Sequence, residues 1–336
     1  MIVGNTFVKF VRCMAKAGGD PLAAAEIHRK DYGDGPALSL IQKSIITSGS
    51  FGADAAWRAA VNDFLAGVAV YDVMARINAL SPLHSIPVRT RILIEDEAPV
   101  AQWIDEGQPV MVSGASFEQA NIAPRKCAGL IVATKEVIHL STDAAEKALT
   151  RSLQRAVAKI TSAAAFASAP VAGAPDSLLT GAVAVPATGD VQADMIALVS
   201  AFTGDIERAV LVMSSNTAMS LALQGAMVGA ANGFGVKGGI FCGLPAVGSA
   251  DVPDDIVALV DAAQVVYGDD GASMDISEQA DVTVDDVTHS LSQENLVGFL
   301  CARFVSWQAA SGAVAYLSGV DWSAPVTKSG TKGGAR

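Results

Sequence analysis

Apolar and polar positions along this chain change period several times, and each change predicts a different element. From Val88 to Ile94 they alternate. Val88, Thr90, Ile92 and Ile94 fall on one side and Arg89, Arg91 and Leu93 on the other, the pattern of a half-buried strand. Strand-like segments return around Phe117 and at Leu130–Thr134. Between them lies a polar, acidic stretch, Ala101-Gln102-Trp103-Ile104-Asp105-Glu106-Gly107, with Pro99 and Gly107 as turn residues. The pattern predicts a long two-stranded arm with a tryptophan near its tip. An isolated two-stranded ribbon is marginal in water, so the arm needs a surface to lie on. Either its own domain or a neighbouring subunit can supply that surface, and the pattern leaves both open.

A helical period follows. Leu149, Leu153, Val157, Ile160 and Ala164 make an apolar stripe. They predict a helix from Asp143 to Ala167, about 37 Å long at 1.5 Å per residue. Thr142 is the expected N-cap, and Asp143 and Glu146 sit in the first turn, where the helix dipole favours acids. Lys147, Arg151, Arg155 and Lys159 ride beside the stripe. Such a helix serves either as the beam of a wedge-shaped subunit or as an ordinary core helix.

Helices also dominate the first part of the chain. One is expected over Asn5–Ala17, with Lys9, Arg12 and Lys16 on one face that is either solvated or set against DNA. Asp20-Pro21 opens a second and Gly33 closes it. Ala55–Ile77 reads as mostly helix. Ala, Pro and Gly over Ala169–Thr188 mark a boundary. Beyond it helices and strands mix: a helix capped by Asp190, a buried strand at Ala209–Met213, a helix at Asn216–Leu223, and short strands at Ile256–Val260 and Gln264–Tyr267. This is an α/β or α+β part of about 120 residues, a normal domain size. Leu296–Val305 and Ala313–Ser318 are apolar and are expected to pack on the long helix and the base of the arm. Pro325–Arg336 is expected to be disordered.

Charge divides the chain unevenly. Residues 1–160 carry 17 Lys+Arg and 16 Asp+Glu, whereas residues 161–336 carry 6 and 18, within a total of −11. No basic residue lies between Lys237 and Arg303. Phosphate contacts need Lys and Arg, so the acidic half is excluded as a nucleic-acid surface. Its acids serve solubility, or keep the surface off DNA and other polyanions. The chain has no run of 18 apolar residues. Lys9, Arg12 and Lys16 break up its first apolar stretch, so neither a membrane span nor a secretion signal is expected. That implies a protein made in the cytosol.

Candidate chemistry is sparse. Cys13, Cys127, Cys242 and Cys301 are scattered without C-x-x-C spacing and read as small buried residues. His28, His84, His139 and His289 form no metal-binding pair. Gly233-Phe234-Gly235-Val236-Lys237-Gly238 fits G-x-G-x-x-G, but it follows a helix and precedes a strand, the reverse of a dinucleotide site. It reads as a flexible surface loop. Asp269-Asp270-Gly271 lacks the rest of a calcium loop and reads as a turn. No cofactor and no catalytic residue is assigned.

The segment AQWIDEG, then SGASFEQANIAPRKCAGLIVATKEVI, then STDAAEKALTRSLQRAVAKI, resembles the major capsid proteins of tailed bacteriophages, with the Hong Kong 97-type fold. Trp103, Glu106 and Gly107 match that family's loop tip, and Lys126, Ala128, Thr134 and Glu136 match its following strand. GNTFVKFVRCMAKAGGDPLAAAEIHRK near the start, and LVMSSNTAMSLAL, GIFCGLPAVGS and VYGDDGASMDISEQADV later on, are also similar, so the resemblance covers roughly the whole chain. No single motif decides it; order and spacing together carry it.

The resemblance implies an α+β fold with several parts. These are an N-terminal helical arm (1–78), an extended β-hairpin loop (86–124), a peripheral domain (79–85, 125–172 and 300–322, spine helix 143–167), an axial domain (173–299) and a flexible tail (323–336). It implies self-assembly through pentamers and hexamers into an icosahedral shell around double-stranded DNA. Portal, maturation protease and head-decoration proteins are the expected partners, and a membrane is not. Expected assembly contacts are Trp103, Asp105, Glu106, Arg89, Arg91 and Lys126. Trp103 either anchors the arm on a neighbour or packs on its own hairpin. Some family members cross-link subunits from a lysine on this loop. Val88–Pro124 contains no lysine and Lys126 sits at the arm's base, so no such cross-link is expected. An encapsulin-like compartment shell and an α/β enzyme with an unrecognised site are the alternatives.

Overall fold

The computed structural model describes residues 5–17, 20–35, 37–38, 41, 55–87, 91–97, 116–134, 136, 143–225, 233–277, 280–284 and 287–322. In chain order the helices and strands begin with α1 (Asn5–Lys16), α2 (Pro21–Tyr32), α3 (Ala55–Ala69) and α4 (Val73–Leu80). Strands β1 (His84–Ser85), β2 (Arg91–Glu97), β3 (Ser116–Asn121) and β4 (Arg125–Thr134) come next, then helix α5 (Asp143–Ala165). They are followed by β5 (Val183–Pro186), α6 (Val191–Ala201), β6 (Ala209–Ser214), α7 (Ser215–Gln224), β7 (Gly238–Phe241), β8 (Leu244–Ser249) and β9 (Ile256–Asp261). The last are β10 (Val265–Ser277), β11 (Asp281–Val284), β12 (Val287–Ser290), β13 (Leu296–Ala309) and β14 (Val314–Ser318). The chain divides into two compact units, residues 1–76, 123–161 and 268–306, and residues 77–122, 162–267 and 307–336.

The first unit is built on α5 and the β4–β13 ribbon. Those strands pair antiparallel from Arg125↔Val305 to Thr134↔Leu296. Leu153, Val157 and Ala158 of α5 share a core with Phe10, Cys13, Phe64, Val68, Val297 and Cys301. Gly129 on β4 lets α5 come close: a β-carbon there would sit 3.7 Å from Leu153. The 23-residue helix spans about 34 Å. Ile160, expected on its apolar stripe, is 46% exposed, and buried Thr161 takes that place. The true stripe alternates steps of three and four, and the Thr161 hydroxyl donates to the Ala158 carbonyl at 3.0 Å, so a polar residue fits there. Thr142, its expected cap, lies outside the described residues.

The expected single helix over Ala55–Ile77 is two helices. Val70 and Tyr71 turn, and the Asp72 carboxylate accepts the Met74 N–H at 3.1 Å, capping α4. Asp20 caps α2 by accepting the Leu22 N–H at 2.9 Å, and Gly33 closes it at φ +72°.

The second unit holds a six-stranded mixed sheet in the order β5-β14-β9-β6-β8-β7. Strands β6 and β9 are buried at every position, as their unbroken apolar runs require of strands covered on both faces. Helices α6 and α7 contribute Met195, Leu198, Ala218 and Leu221 to its core. Asp190 and Ser214 cap them. Strand β14 pairs antiparallel with β9 and parallel with β5. Of the two late apolar segments, then, Val297 and Cys301 join the α5 core as expected, whereas Ala313–Ser318 completes this sheet. Continuous hydrophobicity states that a strand is buried, not which layer buries it.

One polar knot sits inside the second unit. Asp194 on α6 is 1% exposed and accepts from the Thr188 hydroxyl (2.6 Å) and amide (2.7 Å), the Gly189 amide (3.2 Å) and the Trp322 indole (2.8 Å). Burial alone would raise its carboxyl, but these donors outweigh it and hold the group below the usual carboxylate range.

Candidate assembly surfaces

The arm begins as a two-stranded sheet. Strands β2 and β3 pair antiparallel from Arg91↔Asn121 to Glu97↔Ser116, with an irregularity between Glu95 and Glu97. Eighteen residues, 98–115, separate the paired ends and lie outside the described residues, and with them the tip residues Trp103, Asp105 and Glu106. Arg89 lies outside them as well. Arg91 is the first residue of β2. Lys126 is exposed on β4, paired in register with Phe304. Arg91 belongs to the second unit and Lys126 to the first.

The basic face of α1 is set against α2 rather than simply solvated. The Lys9 ammonium lies 4.8 Å from the Tyr32 ring centroid, and the Arg12 guanidinium donates to the Tyr32 hydroxyl at 2.6 Å. Lys16 pairs with Asp31 at 2.8 Å, which lowers the Asp31 carboxyl pKa. The face fixes α1 on α2.

A charge cluster that periodicity does not reveal lies in the first unit. Arg303 on β13 is 4% exposed. Its guanidinium donates to Asp72 at 2.8 Å, and through two nitrogens to one oxygen of Asp269 at 2.7 and 3.1 Å. Asp72 is fully buried. The triad ties together the α3–α4 junction, β10 and β13. Asp269-Asp270-Gly271 is therefore no free turn: it lies inside β10, with Gly271 at φ +89° and its N–H on the Asp269 carboxylate at 2.9 Å. The available signal was Arg303 itself, the one charge in the apolar run Leu296–Val305. A cation inside a buried strand demands buried acids.

The glycine-rich loop is not flexible either. The Gly235 N–H donates to the Gly238 carbonyl at 3.0 Å, the Gly238 N–H returns to Gly235 at 2.8 Å, and the Gly248 N–H donates to Lys237 at 3.0 Å. Gly238 adopts φ +97°, and a β-carbon there would overlap the Ala246 carbonyl. The glycines permit a tight backbone approach at the sheet edge. Gly238→Ala is expected to destabilise the second unit by about 3 kcal/mol, the upper range for a strained backbone position. Hydrogen exchange of β7 and β8 is the readout, with α5 as internal control.

None of the four cysteines is in a disulfide. Cys13 and Cys301 are buried as expected, and burial pushes the Cys301 thiol up to about 12. Cys242, expected in a core, is exposed in the β7–β8 turn at φ +50°. Among the described residues no group of three or more His, Cys, Asp or Glu could hold a metal ion. No described helix is long and apolar enough to cross a membrane.

A family model described as "Phage capsid family" matches residues 52–315, more than three quarters of the sequence. The chain belongs to the phage capsid family. It is 29% identical over 363 aligned positions to the "Capsid polyprotein" of Pseudomonas phage PAJU2, covering 96% of this chain and 54% of that protein. The chain thus spans about half the length of that curated relative. The capsid of a native GTA particle superposes with TM-score 0.53 at 16% identity, over 74% of this chain and 91% of that one. A chain of Gordonia phage Cozz gives TM-score 0.54 at 16% identity, over 72% and 85%. The fold is thus the α+β Hong Kong 97-type capsid fold. Membership of that family makes this chain a capsid protein.

Proposed function

We propose that this chain is a major capsid subunit whose rings of five and six close into an icosahedral shell around double-stranded DNA. The observation that carries this reading is the family match over residues 52–315. A head-to-tail contact closes into a ring when its rotation permits, and many weak contacts acting together give a shell its avidity. The GTA capsid structure was computed with C5 symmetry, the symmetry of a five-membered ring.

In this reading residues 86–124 are the loop laid on a neighbour. Trp103 is its apolar anchor, as aromatic residues commonly are at interface centres. Asp105 and Glu106 meet basic partners, and Arg89, Arg91 and Lys126 are further contacts. Residues 1–78 form the N-terminal arm, and 173–299 the axial part. The DNA contact is non-specific. Exposed Arg151, Arg155 and Lys159 recur every four residues on α5, a basic row that supports that helix as a phosphate-facing surface. Portal, maturation protease and decoration proteins complete the head, which assembles in the host cytoplasm.

Expressing the chain alone tests the reading. Negative-stain electron microscopy beside light scattering should show closed shells or rings of five and six. A monodisperse monomer or dimer at high concentration, across salt and pH, would defeat it.

A further inference from the structure

His28 has a setting unlike those of the other described histidines. His84 is exposed, and His289 pairs with Glu294 at the surface. His28, on α2, is 1% exposed, and its buried Nδ1 atom has no hydrogen-bonding partner. The Gly33 backbone holds the ring by a hydrogen bond. Its face lies against Tyr32, with ring centroids 5.3 Å apart and tilted by 44°. That same Tyr32 ring receives the cations Lys9 and Arg12 from α1. The seat therefore accepts a neutral imidazole. A proton on Nδ1 would create a buried N–H without an acceptor, and a positive charge beside the two cations that dock α1.

We propose that His28 is a proton-sensitive latch, which keeps α1 docked on α2 while neutral and releases it when protonated. The charged groups that face it explain the direction. From α1, Lys9 opposes the imidazolium and Arg12 adds a second cation around Tyr32. From the end of α2 and the loop after it, Asp31 and Asp34 favour the charged form. Asp31 is already engaged by Lys16 at 2.8 Å, so its attraction is largely spent within the pair. Burial comes first among the influences on His28, and the net result lowers its pKa from the ordinary 6.5. The sign follows from linkage. The undocked state binds the proton more readily, so docking is at full strength above pH 6.5 and weakens as pH falls from there toward the depressed folded value. The device lies within the N-terminal helices and is independent of how the shell closes.

Hydrogen exchange of the full chain at pH 7.5 and 5.5, corrected for the intrinsic pH dependence of exchange, tests the latch. The amides of α1 should lose protection severalfold at pH 5.5, up to the roughly tenfold ceiling that one proton allows, while those of β6 and β9 do not change. His28→Phe keeps an aromatic ring and His28→Gln keeps a neutral donor, and neither titrates. In both, α1 protection should be the same at the two pH values. Unchanged α1 protection in the wild-type chain at pH 5.5 overturns the proposal, whatever the variants do. An equal acid-induced loss in a variant that docks α1 at pH 7.5 overturns it too. Shells that fail to form while α1 still opens with acid would count against the assembly reading and leave the latch standing.

Discussion

Replacing Arg303 by Met should destabilise the first unit by about 3–5 kcal/mol, the range for breaking a buried ion pair from one side. The side chain fills similar space, so the loss is electrostatic. It removes the guanidinium that stands 2.8 Å from Asp72, a fully buried carboxylate that also accepts the Met74 N–H. Asp269→Asn should cost less, because the Asp269 side chain is 24% exposed and water can replace part of what it loses. Combining Arg303→Met with Asp72→Asn should recover part of the loss. Asn removes the uncompensated charge and still caps α4. Hydrogen exchange at the start of α4 and along β13, with urea unfolding, reads all three. Equal stability of Arg303→Met and the parent would show that water reaches the triad and that it does not hold the unit together.

That triad also marks where the sequence stops being legible. Asp72 and Arg303 are 231 positions apart, and no periodicity links them. What could be read was local. Unbroken apolar runs located β6 and β9, Asp20 and Asp190 located helix starts, and the spacing of Leu153 and Val157 located α5. The errors arose where a long-range contact overrode a local preference. Asp72 divides an otherwise continuous helix by capping its second half. Asp269 and Gly271 read as a turn in isolation, but Arg303 holds them within β10. Gly238 reads as slack, because only the Ala246 carbonyl beside it shows that a side chain has no room. The basic spacing of Lys9, Arg12 and Lys16 was visible at once, but its purpose depends on Tyr32, which only the folded helix pair brings under them. The proposed arm contacts stay furthest from the sequence, since an interface residue is defined by a partner that the chain's own pattern does not encode.

The largest expected effect on assembly comes from shortening that arm. Glu97 and Ser116 are paired, so residues 98–115 can be replaced by Asn-Gly, the two-residue turn whose twist suits a hairpin. Strands β2 and β3 keep their register, and the cores of both units lose no buried residue among those described. The variant should fold, with wild-type protection in β6, β9 and α5, yet form no closed shells even at tenfold higher concentration. Each subunit would lose its proposed hold on a neighbour, and avidity multiplies a modest loss per contact over the whole shell. Trp103→Ala is the narrower test. An aromatic anchor at an interface centre is worth about 2 kcal/mol or more, roughly a thirtyfold change in one contact, so shells should appear only at markedly higher subunit concentration. Electron microscopy across a dilution series gives both answers. Closed shells from the shortened arm at the wild-type concentration would mean that the hairpin packs on its own subunit. The shell-forming contacts would then have to be sought on α5 and the second unit's sheet edges.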